Sequence, residues 1–133
     1  MSANKNMLVQ ENLENPETYV CDVHSYEISH SLLYVYAKKG GKFFNKENLY
    51  VLFSNTLYFE GPYHWDGLHF TIGAQEECVK ILKQINYPYQ DHPPEHFPQL
   101  FKLETNNLTI KIIANRLLIS RDNTPASVLA RSS

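Results

Sequence analysis

Residues 100–122 read LFKLETNNLTIKIIANRLLISRD, and whether the middle of this stretch is helix or strand decides how much of the fold is sheet. Thr109 and the isoleucines at 110, 112 and 113 lose rotamer freedom in a helix but pack well on a pleated surface. Asn106-Asn107 and Asn115 put turn chemistry between the β-branched runs. The stretch is therefore read as three strands, near 100–104, 108–114 and 117–121, against a competing helix over 108–119.

The chain upstream has the same character. TYVCDVH at 18–24 and SLLYVYAKK at 31–39 are β-branched and aromatic runs, with 25–30 as a turn or a continuation of strand. Gly40, Gly41, Asn45 and Asn48 mark a turn around Phe43 and Phe44. A strand follows at about 49–54, then a turn at Asn55 and a strand from about 57. Between these runs lies the clearest helix, AQEECVKILKQIN at 74–86, which places Ala74, Cys78, Ile81, Leu82 and Ile85 on one face. Glu76 and Glu77 suit its first turn, and Asn86 with Pro88 ends it. Residues 87–99 hold four of the seven prolines and are read as an extended crossover.

A single amphipathic helix has one side to bury, so it must lie on a sheet. The fold class expected is α+β: one domain with a mostly antiparallel, twisted sheet of about six to eight strands and one main helix on a face. The domain is placed at 17–121, with polar tails at 1–16 and 122–133. A chain of 133 residues is long enough to bury one core without disulfides or a structural metal.

Composition narrows the function classes. The formal net charge of −2 leaves no clustered basic surface for nucleic acid. Lys38, Lys39 and Lys42 beside Gly40 and Gly41 read as a solvated loop tip rather than a phosphate site. No run approaches the roughly 18 apolar residues that span a bilayer, and the first residues carry no secretion signal, so neither membrane nor export is expected. Cys21 and Cys78 are expected to be two buried thiols in a reducing cytoplasm. A reactive Cys78 would need a nearby base and a lowered thiol pKa, and the sequence offers neither. Nine Tyr, seven Phe and one Trp make the chain aromatic-rich, which favours half-buried sheet faces and contact surfaces.

The six histidines fall into three close pairs, the only pattern that resembles a ligand set. In GPYHWDGLHF at 61–70, Asp66-Gly67 is a favoured two-residue hairpin turn. A hairpin there puts Tyr63, Trp65, Leu68, Phe70 and Ile72 on an apolar face. It puts His64 opposite His69 on the other, with Cβ atoms about 4.5–5.5 Å apart. His92 and His96 have the i, i+4 spacing of helical metal ligands, but Pro93 and Pro94 lie between them. His24 and His30, near Asp22, are separated by a turn. Metal is therefore not assigned, and His64, His69, His92 and His96 remain candidates that lack a third ligand. Asp22 sits inside a strand, where a charge must find water or a partner.

Two function classes follow. The first is a non-enzymatic, protein-binding or homodimeric module that uses an aromatic-rich sheet surface, with His64, His69, Tyr63 and Tyr58 as binding residues and no cofactor. The second is a small ligand- or metal-binding protein, or an enzyme, with a histidine-lined pocket.

Overall fold

The structure, a computed structural model, describes residues 13–121; of the tails expected at 1–16 and 122–133, residues 1–12 and 122–133 lie outside the described residues. Nine strands and one main helix follow in the order β1 (Tyr19–Glu27), β2 (Leu32–Lys39), β3 (Leu49–Ser54), β4 (Tyr58–Glu60), β5 (His64–Asp66), β6 (Thr71–Ile72), α1 (Gln75–Gln84), β7 (Gln99–Thr105), β8 (Leu108–Ala114) and β9 (Arg116–Arg121). The fold is α+β. Its strands form two antiparallel sheets, in the orders β5-β1-β2-β3-β9 and β4-β8-β7-β6, rather than one sheet. The reason is sequence economy: almost every strand carries apolar residues at alternate positions, and two such faces bury one another.

The inner faces share one core. Val35, Val51 and Phe53 from the five-stranded sheet meet Phe101, Leu103, Ile110 and Ile112 from the four-stranded sheet, all at most 1% exposed. Phe53 makes edge-on contacts with Phe101 at 5.5 Å and Phe70 at 5.6 Å between ring centroids. Such edge-to-face geometry aligns the positive ring edge with the negative ring face. Residues 108–114 are strand, and Asn106 and Asn107 both have positive φ, 49° and 65°. Two successive left-handed residues make the tight turn that matches strand twist, and Thr105 duly pairs with Leu108.

Helix α1 lies on the outer face of the four-stranded sheet. Cys78, Ile81 and Leu82 are buried against Leu100 and Ile113, as the periodicity requires, while Ile85 at the end of the stripe is 41% exposed. Glu77 reaches across to Lys102 and Lys111, with both N to O distances 2.9 Å. These two lysines are directly opposed in the β7–β8 register, so one carboxylate separates two like charges and clips the helix to the sheet.

Residues 25–30 are strand continuation and then turn, in keeping with the expectation: β1 runs on to Glu27, and a 3-10 turn at Ile28–His30 closes with Ser31 in the left-handed region at φ 53°. One local expectation is corrected. The proline-rich crossover is not uniformly extended. It contains 3-10 turns at Tyr89–Asp91 and Pro94–His96, the second with proline at its start, where the missing N–H costs nothing.

Candidate functional site

Asp66-Gly67 does not turn a hairpin. β5 pairs with β1, whereas β6 pairs with β7 in the other sheet. The stretch between them is a crossover, because the backbone beyond Asp66 keeps running beside the start of β1: Gly67 N–H donates to the Tyr19 carbonyl at 2.7 Å and Leu68 N–H to that of Pro16 at 3.0 Å. Trp65, Leu68 and Phe70 enter the core as expected, but Tyr63 is 79% exposed. His64 and His69 are consequently not opposed.

His64 stands on the outer face of the five-stranded sheet. Its Nδ1 lies 2.6 Å from Asp22 Oδ1, and Lys38 Nζ lies 2.8 Å from Asp22 Oδ2. Burial alone would raise the Asp22 carboxyl; the hydrogen bonds from Lys38 and then His64 outweigh it and hold the group below the usual range. An ionised carboxylate only accepts, so the His64 Nδ1 carries a proton and donates it to Asp22. Asp22 thus finds the partners its place in a strand demands. Lys38 is no solvated loop-tip charge: it is 8% exposed, with its ammonium also 4.2 Å from the centre of the Phe43 ring. Lys39 sits over Tyr19 at 4.8 Å.

His69 packs beside Gly67. Its Nε2 is 3.3 Å from the Glu104 carbonyl oxygen, which can only accept, so Nε2 carries the proton. Nδ1 is buried with no hydrogen-bond partner among the described residues. No group of three His, Cys, Asp or Glu is placed to hold a metal ion among the described residues. Both cysteines are free and buried. Burial pushes the Cys78 thiol up to about 11 and raises that of Cys21 as well, the opposite of the activation a nucleophilic thiol needs.

Tyr58 and Tyr63 are brought together. With Val23, Tyr26, Leu57 and Phe59 they line a groove of about 320 Å³ where the two sheets part. β5 pairs only with Val20–Asp22 of β1, so the later part of β1 is left beside this groove. Tyr58 donates to Glu60 at 2.6 Å, a bond that raises its phenol above the ordinary value. Tyr26 is 47% exposed, and Ile28 in the following turn is 83% exposed.

His92 and His96 also come together, without a helix. Both line a cleft of about 410 Å³ with Tyr87, Asn55 and Asn115. Tyr87 Oη and His92 Nε2 share a 2.7 Å hydrogen bond, and the two rings stack at 5.4 Å. Sequence reading treated Asn55 and Asn115 as turn residues only; as side chains they leave no periodic signal, since turns at the same end of a sandwich can be far apart in the chain. Among the described residues no helix is long and apolar enough to cross a membrane. No family model, curated protein or solved structure matches the chain.

Proposed function

We propose that this protein is a non-enzymatic, self-assembling protein-binding module of the cytoplasm, and that its contact surface is the tyrosine-rimmed groove at the parting of the two sheets. The observation that carries this reading is the exposure of Tyr63 beside Tyr26 and Tyr58. Tyrosines supply large contact area at a low cost in side-chain entropy, and an exposed aromatic rim around an apolar groove suits association with a second copy. Buried, protonated thiols at Cys21 and Cys78 suit a reducing compartment.

Sedimentation over a concentration series tests it. The unaltered chain is expected to dimerise, and Tyr26→Ser with Tyr63→Ser to remain monomeric with an unchanged Tm. A strict monomer at the highest concentration sinks this reading. A second reading, a small-ligand-binding protein, is favoured by one separate observation: His92 and His96 line a single cleft.

A further inference from the structure

We infer that the cleft between the proline-rich crossover and the sandwich end is a binding site for an uncharged, polyhydroxylated ligand of the sugar class; this rests on the second reading, that the cleft takes a small molecule. Its volume of about 410 Å³ falls within the range of roughly 300–1,000 Å³ typical of small-molecule sites. Three turns of the sandwich form one wall, contributing Ser31, Asn55 and Asn115, and the crossover forms the other with Tyr87, His92 and His96.

The sandwich wall is held by main-chain bonds between separate turns. Thr56 N–H donates to the Ser31 carbonyl, Leu57 N–H to that of Ile113 and Asn115 N–H to that of Ser54, each at 2.8 Å. A backbone held in this way needs little reordering of its turns on binding. The opposite wall is braced by the Tyr87–His92 hydrogen bond and by Phe97 against His92 at 6.4 Å between ring centroids.

The chemistry of the lining selects the class. No Asp, Glu, Lys or Arg lines the cleft, so neither an anion nor a cation would recover its lost hydration there near neutral pH. Each amide of Asn55 and Asn115 and the Ser31 hydroxyl offers a donor and an acceptor together, and the His96 ring adds a further polar group. Vicinal hydroxyls are the complementary set, since each both donates and accepts. An anion would satisfy only the donors, and an ammonium only the acceptors. Leu57 and Pro98 in the same lining give apolar contact for the C–H face of a sugar ring.

Backbone amide NMR of the full chain, titrated near neutral pH with glucose, galactose, N-acetylglucosamine and maltose in turn, tests this directly. The expected result is saturable shifts at Ser31, Asn55, Tyr87, His96 and Asn115 with at least one sugar. His96→Ala, or Asn55→Gly, which keeps the left-handed backbone at φ 50° accessible, should weaken that binding about tenfold, one lost hydrogen-bond set at roughly 1.4 kcal/mol. A disaccharide binding more tightly than its monosaccharide points to a glycan; equal affinity points to a free sugar; either supports the assignment. Shifts at these residues with inorganic phosphate, Zn²⁺ or an N-acetyl amino-acid amide but no sugar overturn the ligand class and leave the cleft a binding site. No saturable shift with any of these probes overturns both. The wild-type titration decides the matter even if a variant does not fold.

Discussion

Gly67 occupies the point where the chain leaves one sheet for the other, with φ at 110°, a region that side chains rarely enter. A Cβ there would lie 2.5 Å from His69 Cε1. Gly67→Ala therefore carries two costs, backbone strain of about 1–3 kcal/mol and displacement of the His69 ring from the Glu104 carbonyl. Urea unfolding should show a loss of at least that size. Introduced into a His69→Ala background, where no ring is left to clash, Gly67→Ala should cost less than it does in the unaltered chain, and an equal cost in the two backgrounds would refute the two-part account. The same glycine shows what residue-level reading can and cannot do. Asp-Gly is sound turn chemistry, yet the positive φ it permits is spent on a crossover. What decided was the competition for the Gly67 and Leu68 N–H groups, which Tyr19 and Pro16 win. No pairwise feature of residues 61–70 encodes that outcome.

Among the elements, helix α1 was the most legible. Its apolar stripe, acidic first turn and terminating Asn-Pro pattern are all local, and only the two ends of the stripe, Ala74 and Ile85, escape burial. Its clip to the sheet was not legible, because Lys102 and Lys111 become neighbours of Glu77 only once β7 and β8 pair beneath it. The bond to Lys102, then that to Lys111, lowers the Glu77 carboxyl against the opposing effect of burial. Since the folded-state group titrates below the unfolded one, its stabilisation is complete above about pH 4.3. It is lost as the pH falls through the lowered folded value. Glu77→Gln should thus cost about 1 kcal/mol near neutral pH and flatten the acid limb of stability against pH. An acid limb unchanged by the substitution would assign the pH dependence elsewhere. The strands over 108–114 and 49–54 were equally readable from β-branching, and the Asn106-Asn107 turn from its residue types. The proline-rich crossover was read correctly as neither long helix nor central strand, but its 3-10 turns depend on packing by Tyr87, Tyr89 and Phe97 against the helix cluster.

At the scale of the whole molecule, Phe53 is the joint between layers: fully buried, on β3, and in contact with Phe101 of the opposite sheet and Phe70 of the crossover. Phe53→Ala should cost about 3–5 kcal/mol, a large share of the roughly 5–15 kcal/mol that stabilises an ordinary domain. Calorimetry should show one transition shifted down; two separated transitions would mean that the sheets melt independently and that the core is not shared. The aromatic groove and the histidine–asparagine cleft also belong to this scale. Tyr58 and Tyr63 were named from composition, and His92 and His96 from spacing, but neither spacing nor composition could add Tyr26 to the first site or Asn55 and Asn115 to the second. By itself the sequence determined the helix and the longer strands: their type follows from side-chain entropy, period and turn chemistry, all of which act over a few residues. Only the tertiary structure decided which sheet each strand joins, and with it that His64 meets Asp22 rather than His69. Strand partners are chosen by burial of alternating faces and by unpaired backbone groups across the whole chain, and that choice is settled only when the layers close.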